Sequence, residues 1–323
     1  MTLYRFPRIP SVIAAVMTAL VATSCASGSV SGSSAGVEKP DLVAAVVPAI
    51  DSAGFYIAAQ RGLFAAQGLH VKIVPAISSE TVIADQLRGK YDITLGNYVS
   101  YIQWETLRHA RLRILCESSV MQPRTQELLV PPSSPIRSID QLKGKKIGVN
   151  VPNNIIVLLV SSVLADSGIK PSDVHLVPIP FPFMAGALKA HKIDAAEMPE
   201  PFVTATQVSI GAQTLFDADQ GATQNLPIAG VVVTQAWAKR YPRTAAALRR
   251  AVEEGQAIAD TNRSAVEKAM VKYVPHMTPQ AAALLAEDNY PLGIKKVRIQ
   301  RIADLMLRFG LLKHPFDVTP MLH

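Results

Sequence analysis

The chain predicts an α/β fold of two similar doubly wound lobes joined by a two-strand hinge. Three observations predict it. Residues 41–97 read strand, helix, strand, helix, strand. A second stretch, AGALKAHKIDAAEM (185–198), repeats the pattern of ADQLRGKYDITLG (84–96): helix end, basic residue, Asp, then strand. Finally, two strands, 111–116 and 126–130, are joined by the polar link ESSVMQPRT with no long helix between them, as a crossing between lobes requires.

Leu42 to Val47 is an unbroken apolar run too short for a helix, the pattern of a parallel strand covered on both faces. Leu69, Val71 and Ile73 alternate with His70 and Lys72, a strand with one wetter face. Phe55 to Arg61 is helical, and Gly62 and Gly68 supply left-handed turn residues. A helix follows at 97–107, and Pro131, Pro132 and Pro135 mark a surface loop. Lys146 to Val149 begins the second lobe, with an apolar helix over 155–167 and a strand over 174–178. Return to the first lobe falls near 225–234. Helices follow at 243–260, at a capping box Ser264 to Glu267, at Thr278-Pro279 and at 294–309. The expected domains are therefore 41–120 for the first lobe, 121–226 for the second, and 227–323 for the return segment.

Length and composition fit two lobes with real cores: 323 residues, 49% hydrophobic and 18% charged. The net charge is +7; Arg5 and Arg8 account for two of it within 1–24, which hold no acidic residue, leaving +5. No dense basic run interleaved with aromatics appears, so nucleic acid is not an expected partner. Residues 1–24 read as a secretory signal, too short to stay as a membrane span. Ala22-Thr23-Ser24-Cys25 resembles the lipobox of bacterial lipoproteins, with Ala22 where Leu is usual; an ordinary signal-peptidase site is the alternative. Cys25 is thus expected to be lipidated, with a Ser/Gly-rich tether over 25–40. Cys116 reads as a buried apolar residue, since it has no nearby His or CxxC partner. Gly32-Ser33-Ser34-Ala35-Gly36 matches G-x-S-x-G but lacks the strand and helix of a nucleophile elbow. The seven histidines are scattered, without metal-ligand spacing.

In such folds ligands sit beyond the carboxyl ends of the strands. That rule selects Asp51, Ser52 and Phe55 after the first strand, Asn97 and Tyr98 after the third, and Ser118 at the crossing. From the second lobe it selects Pro152, Asn153 and Asn154, then Phe181 and Phe183, then Glu197 and Glu200. Asn153 or Asn154 can also cap the helix that follows, whose free amides suit an anion or dipole. The strand-end loops hold no Lys or Arg, but they do hold Asp51, Glu197, Glu200 and several aromatic rings. A neutral or cationic ligand with a flat apolar body fits that chemistry. Helix N-termini keep an anionic ligand open.

RGLFAAQGLHVKIV, LRGKYDITLG, QLKGKKIGV, SGIKPSDVHLV, ALKAHKIDAA with the following EPF, and VVVTQAWAKRYP together resemble solute-binding proteins of ABC importers for aliphatic sulfonates, taurine, nitrate and thiamine-type pyrimidines. The resemblance covers nearly everything from Asp41 onward. It implies the type II periplasmic binding fold, a small-molecule ligand, an ABC permease as partner, a monomer, and no cofactor. His191 stands where that family usually has Gly at a helix end. Pyrimidine-synthesising enzymes share the fold but carry a cysteine-rich iron motif, whereas the mature chain holds only Cys116 beside the lipid cysteine. Those enzymes, and a ligand sensor without an import role, are the alternatives.

Overall fold

The computed structural model describes residues 36–322. The signal segment, Cys25 and most of the tether lie outside the described residues. Ten strands form: β1 (Asp41–Val46), β2 (His70–Pro75), β3 (Ile93–Asn97), β4 (Leu112–Val120), β5 (Gln126–Val130), β6 (Lys146–Val149), β7 (His175–Pro178), β8 (Ala195–Pro199), β9 (Gln213–Asp217) and β10 (Pro227–Thr234). They make two five-stranded sheets, ordered β2-β1-β3-β10-β4 and β7-β6-β8-β5-β9. In each sheet three strands run parallel and the fourth is antiparallel to both of its neighbours.

The helices of the first lobe are α1 (Ala53–Gln60), α2 (Leu63–Ala66), α3 (Ser79–Leu87) and α4 (Tyr98–Arg108). The second lobe carries α5 (Ile155–Asp166), α6 (Phe181–Lys189) and α7 (Phe202–Ile210). After the return come α8 (Gln235–Arg240), α9 (Pro242–Thr261), α10 (Arg263–Tyr273), α11 (Pro279–Ala282) and α12 (Lys296–Arg308). None of these is long and apolar enough to cross a membrane.

The repeated basic-then-Asp pattern has one structural cause. Asp92 accepts from Val43 N at 3.0 Å, and Asp194 accepts from Lys146 N at 2.8 Å, so each carboxylate ties the turn before β3 or β8 to the start of its parallel neighbour. Gly62 and Gly68 adopt φ of 73° and 74°, as their turns demand. His191 adopts φ 51°, paying the strain that glycine would avoid. The expected capping box at Ser264 does not form. Asn262 caps α10 instead, accepting from Ala265 N at 3.0 Å, and Glu267 pairs with Arg263 at 2.9 Å. The residue type was suitable, but the helix starts two residues earlier.

Packing of α1 on α9 holds the cleft end of the first lobe. The helices cross where Gly255 meets Gly54: a Cβ on Gly255 would stand 2.2 Å from Gly54 O. A buried pair ties α12 to β4, with Arg298 Nε 2.9 Å from Glu117 Oε2 and Glu117 wholly buried. The chain crosses between sheets at Met121–Thr125 and again at Ala218–Leu226, and Met121 N donates to Leu226 O at 2.8 Å, binding the crossings together. Val120 and Asn289 exchange backbone bonds of 2.9 and 3.0 Å, adding a third segment at the hinge.

Candidate functional site

Strand ends from both lobes converge on one cleft. The first lobe contributes Val47, Ala49 and Asp51 after β1, Ser78 and Ser79 after β2, and Gly96 and Asn97 at the end of β3. Its partner lobe contributes Gln126 of β5, Asn150 and Asn154 after β6, Phe181 after β7 and Pro199 of β8. About 390 Å³ of space unfilled by atoms, part of it open to solvent, lies between these residues. The lobes touch around it: Ile50 N donates to Glu200 O at 3.0 Å, Ala286 N to Glu200 Oε1 at 3.1 Å, and Arg301 Nη2 to Ala222 O at 2.6 Å.

Local chemistry explains each wall. Asn97 is the N-cap of α4, its Oδ1 accepting from Ser100 N at 2.9 Å, while its own N and Nδ2 donate to Ser79 Oγ at 3.0 and 3.2 Å. Gly96 permits this approach, because a Cβ there would lie 1.9 Å from Ser79 Oγ. In the other lobe Asn154 caps α5 through Val157 N and donates to Asn150 Oδ1. Phe181 stacks on Phe202 with ring centroids 5.1 Å apart. Gln126 is buried, and its Oε1 has no partner.

Asp51 is the one ionisable side chain on the cleft wall among the described residues. Ser52 Oγ lies 3.1 Å from its Oδ1, and Ser118 Oγ donates to its backbone oxygen. Burial pushes the Asp51 carboxyl up to about 7, against the lowering effect of the Ser52 hydroxyl.

Asp51, Asn97, Asn154 and Phe181 are thus brought together as the strand-end rule predicts, and nine candidates stand elsewhere. Ser52 and Ser118 are buried behind the wall and support Asp51. Phe55 is in the core, 5.0 Å from Phe64. Tyr98 is fully buried over Gly230, where a Cβ would lie 2.7 Å from its Oη, and that hydroxyl has no partner. As the first residue of α4 it turns back into the lobe and cannot stack on a solute in the cleft. Pro152 and Asn153 form an exposed loop tip, Asn153 at φ 58°. Phe183, two residues past Phe181 on α6, is 67% exposed on another side of the helix.

Glu197 and Glu200 also stand off the cleft wall. Glu197 lies wholly buried in β8, neither oxygen partnered, and burial holds its carboxyl well above the usual range, with Glu127 and Asp217 adding to the effect. Glu200 precedes α7 and binds its first turn, accepting from Thr204 N at 3.0 Å and Thr204 Oγ1 at 2.6 Å. Its peptide bond to Pro201 is cis. Burial raises its carboxyl while these bonds oppose the shift. Ser78, Ser79, Asn150 and Gln126 line the cleft but are not among the ligand residues singled out from the sequence. Ser78 and Ser79 sit in a strand-end loop and Asn150 directly follows a strand, so the same rule reaches all three; Gln126 has no comparable signal.

Two α/β lobes of this topology around a shared cleft are the architecture of periplasmic binding proteins. The chain belongs to the NMT1/THI5-like family, whose model matches residues 49–263. Its fold is similar to that of the alkanesulfonate-binding protein SsuA from Xanthomonas axonopodis pv. citri bound to MOPS, with TM-score 0.76 and 17% identity, covering 89% of this chain and 99% of that one. It is similar to the nitrate-binding protein NrtA from Synechocystis PCC 6803, with TM-score 0.73 and 17% identity over 87% of this chain and 84% of that one. The desulfurization enzyme DSZB shares the fold as well, with TM-score 0.68 and 17% identity over 88% of this chain and 96% of that one. No curated protein matches the sequence.

Proposed function

We propose that the chain is an extracytoplasmic solute-binding protein, anchored by lipid at Cys25, that closes its lobes around a small organic solute and delivers it to an ABC permease. The observation that carries this reading is the cleft between the two lobes, lined by polar and apolar side chains from both. Ligand contacts fall to Asp51, Asn97, Asn154 and Phe181, joined by Ser78, Ser79, Gln126 and Asn150. Closure works by differential affinity: a solute touching both walls favours the closed state. DSZB shows that the fold can carry catalysis. Binding is favoured here because Ser79 Oγ already accepts from Asn97 and Cys116 lies in the core, its thiol pushed far up by burial.

The cleft wall holds no Lys, Arg or His among the described residues, which favours a neutral or cationic flat solute over a sulfonate or nitrate. Mass spectrometry of solute co-purifying with the mature chain, followed by calorimetry with an aminopyrimidine, taurine, an alkanesulfonate and nitrate, tests the reading. It fails if nothing co-purifies and nothing in the panel binds. For the anchor, Cys25→Ser should move the protein from the membrane to the soluble fraction; unchanged fractionation with an unmodified wild-type N-terminus rejects lipidation.

A further inference from the structure

Four carboxamide side chains line the cleft: Asn97 from the first lobe, and Gln126, Asn150 and Asn154 from the second. Three of them have their oxygens engaged. Asn97 Oδ1 accepts from Ser100 N at 2.9 Å, Asn154 Oδ1 from Val157 N at 3.4 Å, and Asn150 Oδ1 from Asn154 Nδ2. Gln126 differs. It is 2% exposed, and its Oε1 is shut away from solvent with no partner. Buried acceptors in native proteins are paired as a rule, so this one marks a place where a donor is missing.

The backbone that carries this amide is held from two sides. Gln126 opens β5 directly after the first crossing, in register with Pro199 of β8, itself on the cleft wall. Ala218 N, where the second crossing begins, donates to Gln126 O at 3.0 Å, and Glu200 N donates to Thr125 O at 2.9 Å. The side chain is thus presented from a fixed point at the hinge. On the first lobe Ser79 has the opposite character. A serine hydroxyl carries two acceptor lone pairs and one proton. Asn97 N and Nδ2 donate to Ser79 Oγ at 3.0 and 3.2 Å, which fills both lone pairs and leaves the proton as the one group Ser79 can offer to the cleft it lines.

We infer that Gln126 is a specificity-determining residue of the solute site: its Oε1 takes an N–H of the solute, while the Ser79 hydroxyl donates to an acceptor on the same molecule. The cleft therefore selects solutes that pair a donor with an acceptor, and it rejects those that bring acceptors alone, because they leave Gln126 Oε1 stranded. This inference rests on the solute-binding reading and specifies its ligand class. Carboxamides, lactams and amino-substituted heterocycles carry such a pair on a flat body that can lie against Phe181.

The test compares two probes of one shape on the mature chain. Benzamide brings a carbonyl acceptor and N–H donors; acetophenone keeps the ring and the carbonyl but has a methyl group in place of the amino group. Dissociation constants come from ligand-observed NMR titration, with circular dichroism confirming the fold of each variant. Wild type should bind benzamide about 10- to 100-fold more tightly than acetophenone. Gln126→Met should bring that ratio to about 1, whereas Gln126→Glu, which keeps an acceptor oxygen, should preserve the preference. Ser79→Ala should weaken both probes alike and leave their ratio in place, since both bring the carbonyl. Absence of benzamide binding, or equal binding of the two probes by wild type, overturns the inference without any variant. A preference that survives Gln126→Met assigns the donor to another group, Asp51 included, and overturns the role of Gln126. Affinities unmoved by Ser79→Ala overturn the acceptor end. Solute co-purification judges the binding reading separately: a co-purifying solute without an N–H or O–H donor would overturn the selection while leaving solute binding intact.

Discussion

Replacing Gly255 by Ala separates helix propensity from helix packing at the contact that carries the cleft wall. Within α9 the substitution gains about 1 kcal/mol of propensity. Against that, the new Cβ would stand 2.2 Å from Gly54 O and 3.0 Å from Ala58 N, where ordinary contact begins at 3.4 Å, so α1 and α9 must separate by about 1.2 Å there. Gly54 O and Ala58 N are backbone, so no rotamer change relieves the clash. Overpacking of this kind costs roughly 1–3 kcal/mol, and a backbone obstacle puts it at the upper end, leaving about 2 kcal/mol of net destabilisation. Because α1 continues directly from the turn holding Asp51, solute affinity should weaken too. Gly186, in the middle of α6 with nothing within 4 Å of an added Cβ, is the control: Gly186→Ala should stabilise by up to about 1 kcal/mol. Urea unfolding of both variants at constant m-value reads the difference. Gly255→Ala as stable as wild type would refute the packing argument.

Tyr98→Phe removes a buried hydroxyl that has no partner. Stability should stay level or rise by about 1 kcal/mol, and calorimetry should find solute affinity unchanged. Arg298→Ala strands the buried Glu117 carboxylate and should cost about 3–5 kcal/mol in urea unfolding, whereas Arg298→Met with Glu117→Leu should recover much of it. Stability should also fall as pH rises from about 4 to about 8: Asp51 and Asp288 keep their protons in the fold up to about 7 and 8, while the unfolded chain loses them near 3.8. The native state binds more protons across that window, at up to about 1.4 kcal/mol per pH unit per group, and the loss levels off above it. Unfolding curves at pH 5, 7 and 9 check the sign, and Asp288→Asn should flatten the slope.

The legible parts of the molecule were those governed by short-range periodicity. The buried run of β1, the alternation of β2 and the paired Asp92 and Asp194 turns are all local, and they revealed two lobes. Distance along the chain from a strand end also located Asp51, Asn97, Asn154 and Phe181. It does not locate direction. Tyr98 and Phe183 each lie within two residues of a true cleft residue, yet helix geometry turns each about 100° per residue, sending Tyr98 into the core and Phe183 to the surface. Glu197 fails for the corresponding strand reason, because chain position alone does not say which alternate side chains face an inner wall. Gln126 depends on the first crossing, which brings the start of β5 to the cleft, and no local pattern encodes that.

The interleaved strands impose an order of assembly. β10 sits between β3 and β4 and is antiparallel to both, so those two strands have no hydrogen bonds to each other without it. The sheet of the second lobe, by contrast, is complete between Gln126 and Asp217. As the chain emerges from its N-terminus, the second sheet can close while the first remains open, waiting for residues 227–234 to arrive from far along the chain. The earliest-made lobe is therefore the last to finish, and truncation before Pro227 removes the interior strand that joins β3 to β4, after the other four strands of that sheet have already been synthesised.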